Sequence, residues 1–246
     1  MQSNLVATYE ADSNWGNYLI KPISEYPYDV IGAQWQEVIN NTTTYATDYA
    51  IGKTLPIVYN NTVYQMELVA FDVDERADGD TTKNNGKARM TWICKDLIGT
   101  HNMNSSNTNA NGWPNTAMRS WLRSTVWNQL PEVLQNNIVE VNKTYYDYTS
   151  KTTKTSADTI WIPSIREIFN GTSGYTEESS GTTYVSSTKF NNNTNRIKKL
   201  NNSARNWWLR SANSSYSGYF WYVGSGGAAH YGIASDARGV APGFCI

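Results

Sequence analysis

The stretch Trp207-Trp208-Leu209-Arg210-Ser211-Ala212 and the terminal run Arg238-Gly239-Val240-Ala241-Pro242-Gly243-Phe244-Cys245-Ile246 decide how this chain is read. Each is short, apolar and bounded by Gly, Ser or Pro. That pattern predicts buried strands rather than helices. Trp207, Trp208 and Leu209 are expected in the core. Arg210 and Arg238 sit beside apolar residues, so burial would require an acidic or carbonyl partner for each. Between the two runs lies a different composition. Tyr216, Tyr219, Phe220, Tyr222, His230 and Tyr231 alternate with Ser214, Ser215, Ser217, Gly218, Ser225 and Gly226. Tyr brings large contact area at low rotamer cost and Ser/Gly bring adaptable polar contacts, the composition of antibody paratopes. Gly224, Gly226, Gly227 and Gly239 read as turn or bulge positions.

Working outward, residues 1–30 carry no helical period and are expected to form an extended arm, a place for assembly contacts. Residues 31–246 form one domain. Trp35, Val38 and Ile39 share a face of a short helix over 33–40. Thr54–Tyr59 and Thr62–Asp74 predict a hairpin about Asn60-Asn61, with Tyr64, Met66, Leu68 and Ala70 alternating against Gln65, Glu67 and Val69. Asn115 is expected to cap a helix whose face is Met118, Trp121 and Leu122. Pro131 opens another short helix. Ile138–Val141 predicts a strand, 145–158 a loop, and Ile160-Trp161-Ile162 a buried strand. Ser164 and Glu167 form a capping box, and Gly171 ends that helix. Residues 171–203, polar and low in complexity, predict a long surface excursion. Tyr219–Gly224 adds a strand near the end. The sum is an α+β domain with two or three short helices and long ordered loops, its sheet completed by the C-terminus.

Composition narrows the function. The 246 residues carry net charge −1, only 17% charged side chains and 13% aromatics. Aromatic wealth excludes a disordered chain, and neutrality excludes nucleic-acid binding through a general basic field. Two cysteines exclude a disulfide framework. No run approaches 18 apolar residues, so membrane insertion is not expected. The first residues show neither the basic nor the apolar region of a secretory signal. Sequons such as Asn142-Lys143-Thr144 arise by chance in a chain this rich in Asn, Ser and Thr.

The two C-terminal runs, spaced by about 25 varied residues, resemble a family of C-type-lectin-fold domains of gut Firmicutes prophages that end W-W-L-R-S…R-G-V-x-P. Further segments share the resemblance: Trp35-Gln36-Glu37-Val38-Ile39, Tyr49-Ala50-Ile51-Gly52-Lys53-Thr54, Gly112-Trp113, Met118-Arg119-Ser120-Trp121-Leu122 and Ile160-Trp161-Ile162-Pro163-Ser164-Ile165-Arg166-Glu167. Together they cover about 33–246. The resemblance implies a C-type-lectin-like fold and a non-catalytic ligand-binding protein. It places the protein on a phage tail or bacterial surface. The implied partners are a host cell-surface protein or glycan and phage tail components, with homo-oligomerisation as a route to avidity. Some members are variable proteins of diversity-generating retroelements, in which adenines of a C-terminal repeat are rewritten. Rewritten AAY codons cannot yield Lys, Gln, Glu, Met or Trp; residues 213–237 contain none of the first four and one Trp, Trp221. The expected ligand-binding residues are Ser214, Ser215, Tyr216, Ser217, Tyr219, Phe220, Tyr222, His230, Tyr231, Ile233, Ser235 and Asp236.

Other constellations carry less. Asp72, Asp74, Asp78 and Asp80 with Gly79 lack EF-hand spacing, and the lectin-type Glu-Pro-Asn and Trp-Asn-Asp motifs are absent. They read as a solvated acidic turn. His101 and His230 have no zinc-site spacing with the cysteines. No metal or other cofactor is expected, and no enzymatic nucleophile motif is present. Cys94 and Cys245 read as buried strand residues, either free or bridged. Arg196-Ile197-Lys198-Lys199 reads as a solvated basic face. Two alternatives stand beside the diversified binder: a carbohydrate-binding lectin of fixed specificity, since Trp, Tyr and Asn suit sugar stacking and hydroxyl bonding, and, more remotely, an enzyme of the formylglycine-generating type using the two cysteines.

Overall fold

A computed structural model describes residues 26–169, 177–184 and 189–246. Most of the expected N-terminal arm, and the Gly171 helix stop, lie outside these residues. Where the arm was expected to reach residue 30, a helix, α1, runs over Tyr26–Asn40. Pro27 in its first turn has no N–H to lose there. Ile31, Trp35, Val38 and Ile39 form its buried face. A one-turn helix, α2 (Tyr45–Asp48), follows.

Strands β1 (Thr54–Tyr59) and β2 (Thr62–Phe71) form the expected hairpin. Asn60 and Asn61 turn it with φ of 48° and 57°, the double left-handed conformation of a type I′ turn. β3 (Met90–Cys94) pairs with β2, and the last strand, β13 (Gly243–Cys245), pairs with β3. The C-terminus thus completes this four-stranded sheet, with Phe244 opposite Trp92. The expected in–out alternation of β2 fails: Met66 through Ala70 are all buried. Glu67 survives there through an ion pair with Lys189. Trp35 closes one face of the sheet, edge-on to Trp92 at 5.0 Å and Phe244 at 5.5 Å, and its indole donates to the Pro56 carbonyl at 2.8 Å.

Between the sheets runs a helical passage. The cap of α3 (Ala117–Trp121) is Thr116, not Asn115: its hydroxyl accepts from the Arg119 amide at 3.1 Å. Met118 and Leu122 are buried as expected, and Trp121 stacks on His101 at 4.6 Å. The helix continues as a π turn over Leu122–Val126. α4 (Glu132–Gln135) starts directly after Pro131.

The segment expected as a loop over 145–158 is a hairpin, β5 (Val141–Asp147) with β6 (Thr152–Asp158). β5 buries Val141, Lys143 and Tyr145 on one side, whereas β6 is built from Thr, Lys and Ser and is mostly exposed. A strand that buries nothing apolar leaves no periodic signal. Ile160-Trp161-Ile162 is buried as expected but makes only a single bridge, Trp161 to Gly243. The capping box is present in both directions: Ser164 N–H donates to Glu167 Oε2 at 2.8 Å, and Glu167 N–H to Ser164 Oγ at 3.1 Å. It opens α5 (Ile165–Phe169).

The expected surface excursion after α5 is anchored at several described points. Glu178, Tyr184 and Phe190 are buried. α6 (Asn193–Arg196) leads into the hairpin β7 (Lys198–Leu200) and β8 (Ser203–Arg205). The supposed basic face is correspondingly half interior. Lys198 is 4% exposed and donates to the carbonyls of Cys94 and Lys95, and Arg196 lies over the Phe169 ring at 4.1 Å.

The second sheet has the order β11-β10-β9-β12-β4, from β4 (Thr100–His101), β9 (Trp207–Ala212), β10 (Tyr219–Val223), β11 (Ala229–Ile233) and β12 (Arg238–Gly239). Trp207, Trp208 and Leu209 are fully buried, as expected. The domain is α+β, with short helices, small sheets and ordered loops. Among the described residues no helix is long and apolar enough to cross a membrane.

Candidate ligand-binding surface

Strand β9 starts the site. Phe220 opposes Ala212 and Tyr222 opposes Trp208, so the register between β9 and β10 shifts and leaves Leu209-Arg210-Ser211 bulged. The bulge turns Arg210 into the interior. Its guanidinium makes a bidentate pair with Glu167 at 2.7 and 2.8 Å, and also donates to the carbonyls of Thr144 and Ile162. This is the buried acidic and carbonyl partnership that the strand demanded. Next to it Ser211 Oγ donates to Glu178 at 2.5 Å. Burial pushes the Glu178 carboxyl up to about 7. For Glu167 burial works in the same direction, but the charges of Arg210 and Lys143 and its hydrogen bonds outweigh it and hold the carboxyl at about 2.

After β9, Asn213 organises the turn into the varied segment. Its Oδ1 accepts from the amides of Ser215 at 2.9 Å and Tyr216 at 3.0 Å, an Asx turn. A second amide braces the turn from beneath. Asn109, fully buried, donates from Nδ2 to the carbonyls of Asn213, Tyr216 and Tyr219. Asn107 accepts from the Ser235 hydroxyl at 2.6 Å, and its backbone lies so close to Gly218 that a Cβ there would meet it at 2.8 Å.

On this frame β10 and β11 pair with Trp221 opposite Tyr231 and Tyr222 opposite His230. Successive side chains point to opposite faces, which sorts the expected site residues into two groups. One face carries Tyr219, Trp221 and Tyr231, joined by Tyr216 from the turn. Ring centroids are 5.2 Å apart for Tyr216–Tyr219, 5.5 Å for Tyr216–Tyr231 and 5.9 Å for Tyr219–Tyr231. Trp221 supports Tyr231 edge-on at 5.5 Å. Tyr216 is 50% and Tyr231 44% exposed. The other face carries Tyr222 and exposed His230, stacked at 5.5 Å. Arg238 lies 3.9 Å from the Tyr222 ring and 4.9 Å from Trp208, and pairs with Asp236 at 2.7 Å. Gly232 makes room for it: a Cβ there would approach the guanidinium to 2.5 Å.

Ser215 and Ser217 are exposed beside the tyrosines, and Ser214, Ile233, Ser235 and Asp236 are half-buried. Phe220 is different. It shares the Tyr222 side of β10 but is fully buried within the hydrophobic core, and it belongs to the scaffold rather than to the exposed surface. Asn107 and Asn109 were not anticipated. Their signal was present in the Asn-rich run over 102–111, which composition alone did not distinguish from solvated loop.

The remaining candidates resolve as structure. Cys94 and Cys245 are free, buried strand thiols. Asp74 is no part of a solvated turn: fully buried, it accepts from Thr91 at 2.5 Å and Lys143 at 2.5 Å. Among the described residues no group of three or more His, Cys, Asp or Glu side chains could hold a metal ion.

A family profile, a domain of unknown function designated DUF6273, matches residues 88–246. No curated protein and no solved structure matches the chain. The matched span starts just before β3 and includes the whole second sheet and the tyrosine face, leaving α1, β1 and β2 outside. It covers well over half of the sequence, and the chain belongs to the DUF6273 family.

Proposed function

We propose that this protein binds a ligand through the tyrosine face of β10–β11 and performs no chemistry on it. The observation that carries this reading is the cluster of Tyr216, Tyr219 and Tyr231. Three aromatic side chains lie at the edge of a sheet, two of them exposed, on a backbone held by Asn109 and Asn213. Large aromatics in contact with water that are nevertheless immobilised from below suit a preorganised binding surface. The exposed serines around them supply donors and acceptors at the rim.

The finer reading is a C-type-lectin-like domain of a phage tail or bacterial surface protein, gripping a host cell-surface protein or glycan. The sequence resemblance and the restricted alphabet of 213–237 support it, as does the division of that segment. Its exposed large side chains are Tyr216, His230 and Tyr231, beside Ser215, Ser217 and Ser225, whereas Phe220, Gly232 and Ala234 are buried. A diversified surface needs variable tips on an invariant frame.

Binding of labelled protein to a glycan array and to intact gut bacterial cells tests the reading. Tyr216→Ala with Tyr231→Ala should abolish binding while the melting temperature stays near that of the parent. Binding that survives both substitutions would refute the assignment. The competing reading, a lectin of fixed specificity, rests on the same aromatic and amide-rich surface. It would be favoured if the gene had no adenine-rich near-repeat and reverse transcriptase beside it.

A further inference from the structure

A second feature of the interior is independent of ligand binding. Lys143 on β5 is 1% exposed, and its ammonium has three oxygen neighbours: Asp74 Oδ1 at 2.5 Å, Tyr184 Oη at 2.6 Å and Glu167 Oε1 at 3.2 Å. Its Nζ stands 3.5 Å from the centroid of the Trp161 ring. Asp74 is fully buried and Glu167 1% exposed. Lys143 and Asp74 are 69 residues apart in sequence, so a bond between them would close a long loop.

We propose that Lys143 and Asp74 condense to an intramolecular amide, an isopeptide bond, with the Tyr184 hydroxyl as the proton relay. The atoms for the step are in place. One proton of the Lys143 ammonium passes to the Asp74 carboxylate, which turns a buried ion pair into an amine and a carboxylic acid. The amine lone pair attacks Asp74 Cγ, the carbon bonded to the oxygen it already touches. The N–C bond forms and the C–O bond breaks. The Tyr184 hydroxyl, 2.6 Å from the same nitrogen and donating to both carboxyl oxygens, takes the second amine proton as it passes its own to the departing hydroxyl, which leaves as water. Nothing is oxidised or reduced, and no co-reactant is required.

The carboxyl group is prepared for this attack. The Thr91 hydroxyl donates to Oδ2 at 2.5 Å, and the Tyr184 hydroxyl lies 3.1 and 3.2 Å from its two oxygens. Donors fixed at that position stabilise the oxyanion of the tetrahedral intermediate. Reacting groups held at contact distance have the effective concentration that a uncatalysed amide condensation in water lacks. The product leaves by a short route, because Glu167 also lines an open polar cleft of about 680 Å³ whose walls include Val73, Glu75, Asn142 and Thr144, the neighbours of the two reacting residues. Before reaction, burial opposes the Lys143 charge, but the Asp74 and Glu167 carboxylates outweigh it and keep the amine protonated. The ion pair is therefore the starting state, and proton transfer within it opens the reaction.

The test is the intact mass of the purified, folded wild-type protein, measured under denaturing conditions. The expected mass is lower than that of the sequence by one water. Trypsin should release a branched peptide joining the Asp74 segment to the Lys143 segment, uncleaved after Lys143. Lys143→Met and Asp74→Ala should each restore the sequence mass. A folded wild-type protein of full sequence mass overturns the proposal, whatever the variants do. So does a water loss without a branch, as from succinimide formation at Asp78-Gly79, or a branch that joins Lys143 to Glu167.

Discussion

Arg210 and Tyr219 lie on neighbouring strands of one sheet and belong to opposite regimes. Arg210 and Glu167 are charged, dry and closely paired. Tyr216, Tyr219 and Tyr231 are neutral, wet and joined mainly by ring contacts. The first pair has no tolerance, because removal of either member strands a charge in the interior. The second is tolerant, because its side chains end in solvent. The proposed binder of variable contacts needs both: a region where substitution is punished and one where it is not.

The largest effect is expected where that contrast is sharpest. Arg210→Ala removes both bonds to Glu167 and leaves the buried carboxylate without its bidentate partner, at a cost of about 3–5 kcal/mol, measurable by denaturant unfolding. Phe220→Ala should lose a similar ~3–5 kcal/mol through a core cavity, although it lies within the varied segment. Tyr216→Ala, four residues away, should stay within about 0.5 kcal/mol of the parent. Equal losses at Phe220 and Tyr216 would erase the distinction between frame and tip.

A smaller effect concerns pH. The Glu178 carboxyl is raised to about 7 in the folded protein against an ordinary 4.5. The folded state therefore holds a proton that the unfolded chain releases. The stabilisation is complete below about 4.5 and is lost as pH rises through about 7, on the order of 3 kcal/mol in all. Glu167 runs the other way. Held at about 2, it contributes stability above 4.5 that is lost as pH falls toward 2. Glu178→Gln should flatten the decline between pH 4.5 and 7 in thermal melts, and an unchanged slope would place its origin elsewhere.

The legible parts of the fold share one property: they bury apolar side chains in a regular pattern. The Asn60-Asn61 hairpin, the buried Trp207–Leu209 strand and the Ser164/Glu167 capping box were readable for that reason or through specific turn and cap chemistry. β6 was not, because Thr152–Asp158 pairs through its backbone while its side chains remain in water. Lys143, Asp74 and Lys198 were misread or missed for the complementary reason. A charged residue is buried only when partners arrive from distant segments, and Asp74 meets Lys143 across 69 residues. In the binding surface, the tyrosines and serines were identified by composition. Composition could not say that Phe220 is buried or that Asn109 holds the turn, since both depend on contacts between segments distant in sequence.

Cell and glycan binding by the Tyr216→Ala/Tyr231→Ala protein, compared with the parent at matched thermal stability, tests the central claim most directly. The parent should be retained on at least one host surface or glycan, and the double variant, equally stable, should lose about 2 kcal/mol or more of that affinity, as expected when central aromatic anchors are truncated. Retention of the variant at parental affinity would contradict it and move the binding surface away from β10–β11.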